Sequence, residues 1–338
     1  MPSTQPHSRS CAPISASGTM IKLPECEHSK RRKHGKTKSG TQRYRCSLCG
    51  ATFTESTNIL DGMRIGLDRA EMILKCLLEG LSINATSRIT STDPHTIYDL
   101  IVLVGGRCKR YMEETIKDVY VDDVQADEIW SFVFCKERTR KQKDYGGETG
   151  DAYCWTAIER NTKLFVAWHL GKRSLEASHA FTEKLSRAVH PECRFHFSTD
   201  GLRHYHVSVM RNLTGRVNYG QIVKVYGKSE GDDKKYSPPQ IIRTRKHVVL
   251  GNPNPDQVCT SHVERSNLTI RMELRRFTRL TNAFSKKWSN HESALALFFC
   301  HYNFCRKHTT IETSPAVESG LDNRIWSVRD LVLKTCNT

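Results

Sequence analysis

The sequence predicts an α/β protein, with a mixed sheet flanked by helices and preceded by two small N-terminal units. Three observations support this fold class. From residue 119 onward, β-rich segments are followed by helical ones, as in α/β domains. A cysteine pair near residue 46 is typical of a zinc-ribbon-like lobe. Cap residues mark three consecutive helices between residues 67 and 104.

The bulk composition argues against a secreted or membrane protein. The chain has 338 residues, 38% apolar and 26% charged, and no window approaches the roughly 18 apolar residues of a membrane span. Residues 1–20 are rich in Ser, Pro and Thr, which predicts a disordered tail and no signal peptide. Thirteen scattered cysteines favour a reducing compartment. We therefore expect a cytoplasmic protein that is not associated with a membrane.

The charge balance points to a polyanionic partner. The net charge is +16, and an excess of this size creates a field that attracts nucleic acid. The basic residues cluster in three segments, residues 30–45, 211–246 and 265–287. One such cluster is usually a solvated face, but three in separate segments favour DNA or RNA.

Residues 21–60 have the features of a small zinc ribbon. Cys46 and Cys49 are three residues apart, so two thiolates can face one ion. Cys26 lies 20 residues earlier, but Ser29 stands where a second cysteine is expected. His28 or His34 would have to supply the fourth ligand. The sequence thus leaves two interpretations: a Zn²⁺ site of Cys26, His28, Cys46 and Cys49, or a basic lobe that has lost its metal.

A helix-turn-helix pattern fills residues 61–115. The first helix covers about residues 68–79, the second follows a Ser82 cap, and the third begins at Asp93 with a proline at its first position. The apolar face of the third helix leaves His95, Thr96 and Tyr98 outward, where a recognition helix contacts the major groove. A three-helix unit without a DNA role has the same pattern, and the flanking charge favours DNA.

Residues 118–315 are predicted to form the α/β domain. Residues 125–135 are β-rich, residues 153–170 form a hairpin, and residues 174–189 form a helix with a serine cap. A strand over residues 194–199 then leads into Asp200. Residues 202–260 contain glycine, proline and many cations, which indicates a loop-rich insertion before the next helix.

Residues 261–277 are predicted to form one helix with two faces. An apolar stripe at helical spacing would pack on the sheet; it consists of Val263, Ile270, Leu274 and Phe277. An adjacent stripe carries one acid, one amide and two guanidinium groups, namely Glu264, Asn267, Arg271 and Arg275. Arginine pairs with phosphate and a carboxylate holds a metal ion, so this stripe suits a phosphate-handling site. A surface helix with Glu–Arg pairing is the alternative.

Three carboxylates are candidates for catalysis. Asp127 lies in an apolar strand, where a charge is unfavourable unless it is exposed or bound, and Asp200 follows another strand. Ligand-binding groups of open α/β sheets gather at the carboxyl ends of strands. With Glu264 they form an oxygen-only set suited to two Mg²⁺ or Mn²⁺ ions in phosphoryl transfer. Alternatively, Asp127 meets water near a strand end and Asp200 only begins a turn.

The segments DEIWSF, WTAIERNTKLFVAWHLGKR, STDG and SHVERSNLTIR occur in this order and carry these three acids. Together with the long run after residue 274, they closely resemble the insertion sequence 1 family of DDE transposases. The resemblance implies a ribonuclease H-like fold with Asp127 on the first strand, Asp200 after the fourth and Glu264 on a helix packed against the sheet. It also implies that Asn267 and Arg271 contact DNA near the metals.

The expected function is that of a DNA transposase that binds terminal inverted repeats, cuts and joins DNA strands, and acts as a homodimer or higher oligomer. A catalytically inactive repressor and a host nuclease are the alternatives. The stretch over residues 202–260 is longer than in short family members, and its charge suggests either a DNA-contacting flap or a dimer contact. Residues 316–338 are expected to be a helical C-terminal segment.

Overall fold

The computed structural model describes residues 30–37, 42–54, 59–226, 241–278 and 281–337. These residues fall into two compact units, one within Met1–Thr57 and the other within Asn58–Thr338. The predicted tail, residues 1–20, lies outside the described residues. None of the described helices combines the length and the apolar character that a membrane span requires.

The N-terminal unit is a small antiparallel sheet. Its strands are β1 (Arg31–Lys36), β2 (Gln42–Cys46) and β3 (Thr52–Thr54), in that order. The turn after β2 begins at the buried Cys46, whose carbonyl accepts from the backbone N–H of Gly50 at 3.0 Å. Gly50 has a φ of +71°, which favours glycine because it has no Cβ. The cysteine pair therefore lies on a tight turn, as predicted.

The second unit begins with three helices, α1 (Leu67–Leu78), α2 (Ile83–Thr90) and α3 (Pro94–Thr115). The predicted caps are confirmed: Ser82 accepts from the N–H of Ala85 at 3.1 Å, and Asp93 accepts from that of His95 at 2.8 Å. The buried stripe of α3 includes Ile97, Leu100 and Val104. The sequence thus located all three helices because caps and apolar spacing agree.

A six-stranded mixed sheet dominates the second unit, which confirms the predicted α/β class. The strands are β4 (Asp123–Val133), β5 (Gly150–Glu159), β6 (Phe165–Gly171), β7 (Phe195–Asp200), β8 (Val217–Tyr226) and β9 (Ile241–Leu250). Their order across the sheet is β6-β5-β4-β7-β8-β9. β7 pairs in parallel with β4 and β8, and the other pairs are antiparallel.

Helices cover both faces of this sheet. They are α4 (Glu137–Gln142), α5 (Leu175–Ala188), α6 (Arg203–Asn212), α7 (Ser261–Glu273), α8 (Trp288–Phe304), α9 (Pro315–Glu318) and α10 (Val328–Lys334). On one face, Trp155 of β5 packs against Phe181 of α5 and Tyr205 of α6. On the other, Trp168 of β6 stacks on Phe299 of α8. Burial of these aromatic rings holds the layers together.

The C-terminal part is helical and closes the second unit. α8 is mostly buried, and its Asn303 bonds both backbone groups of Phe165 at 3.0 and 3.1 Å. α10 and a short 3-10 turn, Thr335–Asn337, end the described chain. The segment 316–338, expected to be helical, contains the end of α9, then α10 and this 3-10 turn, with non-helical residues between α9 and α10.

The loop-rich insertion predicted over residues 202–260 is wrong for the described residues. α6 and β8 continue the sheet directly after β7, and β9 extends it by one more strand. The alternating apolar residues of β8, such as Val223 and Val225, are a strand signal that the surrounding glycines, prolines and charges obscured. Residues 227–240 lie outside the described part.

The single helix predicted over residues 261–277 is also wrong at its end. α7 stops at Glu273, Leu274 is extended (φ −97°, ψ 99°), and a separate 3-10 turn covers Arg275–Phe277. The apolar stripe is nevertheless buried as predicted, because the turn brings Phe277 back into the core. Arg275, however, leaves the stripe of Glu264.

Candidate functional site

The two aspartates meet at the end of the β4–β7 pairing. Ala126 and Thr199 are the last paired residues of these parallel strands. Asp127 and Asp200 each follow directly, so they lie side by side where β7 ends. Beyond this point β4 pairs with β5 and no longer with β7, and a single bridge joins its last residue, Val133, to Ser285. An open edge at the carboxyl end of a strand is therefore where both carboxylates emerge.

A third carboxylate, which the sequence analysis did not identify, completes the cluster. One oxygen each of Asp127, Glu128 and Asp200 lie within 4.8 Å of one another. Neighbouring residues of a strand point to opposite faces, so Glu128 reaches the two aspartates from the face of α5 and α6. It can do so because β4 has no β7 neighbour beyond Ala126.

Burial and like charges disfavour ionisation in this cluster. Burial raises the pKa of Asp127 to about 7, and the carboxylate of Asp200 adds to the shift. Burial and both aspartates raise the pKa of Glu128 to about 8. Burial also raises the pKa of Asp200. Three crowded acids with raised pKa values are stabilised as anions by a cation.

Neighbouring groups fix the orientation of each acid. Asn267 of α7 donates to Oδ2 of Asp127 at 2.8 Å, and the N–H of Glu128 donates to Oδ1 at 2.8 Å. The guanidinium of Arg173 pairs with Oε1 of Glu128 at 2.7 Å. Asp200 accepts from the N–H of Leu202 at 3.0 Å. The oxygens are thus held by groups outside the cluster, which preorganises them.

Glu264 lies close to the cluster but outside it. Its carboxylate raises the pKa of Asp127 and Asp200, so the charges interact. Its side chain is 44% exposed and is ion-paired with Lys224 of β8. Thr260 also donates to Oε1 at 2.7 Å. The structure therefore brings Asp127 and Asp200 together and pairs the third predicted acid with a lysine.

The donor set fits a hard divalent cation. All the candidate ligands are carboxylate oxygens, as Mg²⁺ and Mn²⁺ prefer. The side chain of Glu128 is only 3% exposed. Its Oε2 is buried without a hydrogen-bond partner among the described residues. The hydroxyl of Tyr205, buried on the same face and raised in pKa partly by these acids, has none there either. Such orphaned oxygens are unfavourable without a bound ion or water.

The predicted DNA-contacting residues occupy different surroundings. Asn267 is 8% exposed and donates a hydrogen bond to Asp127, so it orients this carboxylate. Arg271 lies one turn further along α7. His95 and Tyr98 of α3 are exposed and line a cavity of about 530 Å³ together with Arg275. Thr96 is on a different side, beside α1. Contact of these side chains with DNA stays a prediction.

Only two of the four predicted zinc ligands, Cys46 and Cys49, lie among the described residues. Cys46 is buried and Cys49 is exposed on the turn between β2 and β3. Cys26 and His28 lie outside the described residues. The zinc site therefore stays a prediction.

Sequence reasoning missed Glu128, Lys224 and Arg173 for different reasons. Glu128 was visible as a second acid beside Asp127 in an apolar strand, a pair that strand alternation alone places on opposite faces. Lys224 was assigned to an insertion, so its strand position opposite Thr244 was not considered. Arg173 follows a strand whose partner becomes clear only from the sheet order.

Comparison with known proteins adds no assignment. No family model matches the chain, and a search of curated proteins finds no match.

Proposed function

We propose that this protein is a DNA transposase that binds the terminal inverted repeats of an insertion sequence and cuts and joins DNA strands with divalent metal ions. The observation that carries the proposal is the half-buried cluster of Asp127, Glu128 and Asp200 at the end of the β4–β7 pairing. Phosphoryl transfer requires oxygen ligands for hard cations at a place that DNA can reach. The net charge of +16 supports DNA as the substrate.

The strand order supports a ribonuclease H-like fold and membership of the insertion sequence 1 family. The resemblance to that family implies one acid on the first strand, one after the fourth strand, and one on a helix packed against the sheet. Asp127 is on β4, the first strand of the large sheet, and Asp200 ends β7, the fourth. Glu264 is on α7, which contacts β4 through Asn267.

Two Mg²⁺ or Mn²⁺ ions held by Asp127, Asp200 and Glu264, with Glu128 as an additional ligand, would activate water or a DNA 3′-hydroxyl and stabilise the leaving oxygen. Asn267 and Arg173 keep two of these carboxylates in place. Lys224 contacts Glu264, so its ammonium group is positioned to pair with a DNA phosphate when Glu264 turns to the cluster.

The other parts of the chain supply DNA recognition. In this proposal the three-helix unit reads the terminal repeats through His95, Thr96 and Tyr98, and Arg271 and Arg275 contact phosphates. The N-terminal lobe, with or without Zn²⁺, adds basic residues. Two element ends have to be cut together, which requires a homodimer or higher oligomer, acting on the nucleoid in the cytoplasm.

Alanine variants of the three predicted acids test this function. Asp127→Ala, Asp200→Ala and Glu264→Ala should each abolish Mg²⁺-dependent strand transfer and leave binding of the terminal repeats intact. The terminal repeats are the inverted sequences that bracket the gene. Retained cleavage in one variant would remove that residue from the site, and retained cleavage in all three would reject the proposed chemistry.

A catalytically inactive DNA-binding repressor is the second candidate, and one observation favours it. Glu264 is paired with Lys224 and is not among the three clustered acids. If this pairing persists on DNA, the cluster lacks its third predicted ligand. Purified protein incubated with labelled element ends and Mn²⁺ separates the two functions, because a repressor shifts the DNA without nicking it.

A further inference from the structure

A cavity of about 530 Å³ lies between the helix-turn-helix and the segment that follows α7. Its volume is within the range of about 300–1,000 Å³ typical of ligand pockets. The floor is apolar and includes Leu78, Ile101 and Leu297, all at most 6% exposed. The walls come from α1, α2, α3 and the residues 274–276 and 282–290. The cavity therefore lies between the predicted recognition helix and the segment that directly follows α7, the helix that carries Glu264.

The cavity wall has a large excess of positive charge. Four cationic side chains line it, Arg275, Arg276, Lys286 and Lys287, against the single acid Asp99. Within the described part of the chain, none of the four forms an ion pair. Arg275, Lys286 and Lys287 are exposed at the rim, whereas Arg276 is partly buried. Unpaired cations gathered around one cavity attract an anion into it.

Arg276 is the most constrained of these cations. Its side chain is partly buried, and this burial lowers the pKa of its guanidinium to about 10. The titratable groups that interact with it are the hydroxyl of Tyr98 and the imidazole of His291, and neither is a carboxylate. A desolvated charge without a counter-ion is destabilising unless a ligand compensates it. The planar guanidinium matches the oxygens of a phosphate.

The remaining lining suits a planar, partly apolar group. Tyr98 and Phe284 supply aromatic rings, on which a base can stack, as in single-strand nucleic-acid sites. Asn282 and Asn290 add amide groups that can donate to and accept from the edge of a base. Phosphate-binding cations beside aromatic rings and amides together describe a nucleotide.

We propose that this cavity binds one nucleotide unit of a DNA strand, with its phosphate at Arg276 and its base against Tyr98. The choice of a DNA strand over a free nucleotide rests on the proposed function. α7 connects the cavity to the acidic cluster: nine residues separate Glu264 from Glu273, or about 14 Å at 1.5 Å per residue.

Arg276→Met tests the proposal, with Arg138→Met as the matched control. Arg138 is exposed on α4, and its loss changes the net charge equally. The full chain is titrated into a labelled duplex of the sequence that flanks the gene, and binding is followed by fluorescence anisotropy. We expect Arg276→Met to weaken binding about tenfold or more, because a charged contact to phosphate is lost. Arg138→Met should stay within about threefold of the wild type.

Thermal unfolding distinguishes a ligand site from a structural role. Removal of an unpaired, desolvated cation should leave the melting temperature of the Arg276→Met protein unchanged or higher. A lower melting temperature together with unchanged DNA affinity would overturn the proposal, and so would equal loss of affinity in the two variants.

The source of the nucleotide is tested with 2-aminopurine. Placed at successive positions of one strand of the duplex, it should change its fluorescence on binding at a single position, and Arg276→Met should abolish the change. If only the free 2-aminopurine deoxynucleoside monophosphate responds, the DNA strand is the wrong ligand and the proposal fails. If the wild type binds as predicted but never cuts DNA, the proposed function fails and the cavity assignment stands.

Discussion

The replacement Asp127→Asn should make the metal-free protein more stable at alkaline pH while it removes catalysis. Burial and neighbouring acids raise the pKa of Asp127 to about 7 in the folded chain. Because this is above the ordinary value near 4, the folded state holds the proton more tightly than the unfolded state. Stability from this group is therefore complete below about pH 4 and is lost as the pH rises through about 7.

The magnitude follows from the size of the pKa difference. Three pKa units at about 1.4 kcal/mol each give a loss of up to about 4 kcal/mol between pH 4 and pH 8. Asparagine has no charge to desolvate, so the variant avoids this loss. Its amide also finds a partner, because Oδ1 of Asn267 has no hydrogen bond among the described residues and can accept once that side chain turns over.

Urea unfolding in a chelator, followed by tryptophan fluorescence, measures the effect at pH 5 and pH 8. The free energy of unfolding of the Asp127→Asn protein should exceed that of the wild type by up to about 4 kcal/mol at pH 8 and by much less at pH 5. The exposed Asp122→Asn serves as the control and should change little at either pH. A variant less stable than the wild type at pH 8, or an advantage equal at both pH values, would refute the reasoning.

Three further outcomes follow from packing and charge. Gly105→Ala should destabilise the fold by more than about 2 kcal/mol in urea unfolding, because a Cβ there would lie 2.1 Å from the carbonyl oxygen of Ser293. Gly106→Ala should instead stabilise it by about 0.5–1 kcal/mol, because a Cβ there would make only an ordinary contact, 3.9 Å from the side chain of Arg110. His291 lies between two serines that hydrogen-bond its ring, and burial lowers the pKa of this imidazole to about 3. The stabilisation of the folded state by neutral His291 is complete above about pH 6.5 and is lost below that pH at about 1.4 kcal/mol per pH unit. The His291→Asn protein should therefore lose less stability from pH 7 to pH 5 than the wild type, and an equal loss would contradict this. Lys224→Gln should increase Mn²⁺ affinity several-fold in calorimetry, since it removes a cation paired with Glu264, and unchanged affinity would show that this pair does not oppose metal binding.

Local signals in the sequence located most of the fold because they agree with one another. The caps Ser82, Asp93 and Ser174 precede apolar stripes at helical spacing, and each begins a helix in the structure. The hairpin of β5 and β6 follows from two β-rich, largely apolar runs around a polar turn. These features depend on a few neighbouring residues, so no knowledge of the sheet order is required.

The errors arise where distant contacts decide the structure. β8 is a strand because β7 offers a parallel edge beside it, whereas its sequence context resembles a loop. α7 ends at Glu273 and not at Phe277, although the helical spacing continues. The carboxyl end of α7 packs closely against Gly80, the residue after the cap of α1, because a Cβ on Gly80 would lie 2.8 Å from the carbonyl oxygen of Met272. Close contact between α1 and α7 is invisible in either segment alone.

The residues of the candidate site are also of two kinds: some could be identified from the sequence, and others join the site only through the order of the strands. The sequence identified Asp127 from its place within an apolar strand and Asp200 from its place at the end of another, and the sheet order brings them together. Glu128 joins them only because β7 stops beside Asp127 and leaves an open edge. Lys224 reaches Glu264 only because β8 lies next to α7 in space. Charges supplied by neighbouring strands are a property of the topology and not of any one motif.

Joining of DNA ends is the most direct test of the central claim that the acidic cluster drives metal-dependent strand transfer. A labelled duplex with the inverted sequence that brackets the gene is incubated with the full chain, a plasmid target and Mg²⁺ or Mn²⁺. The wild type should yield plasmid-joined products only with metal, and Asp200→Asn should yield none while it still binds the duplex. Joined products from Asp200→Asn, or a wild type that binds the duplex with metal present and never cuts it, would contradict the claim.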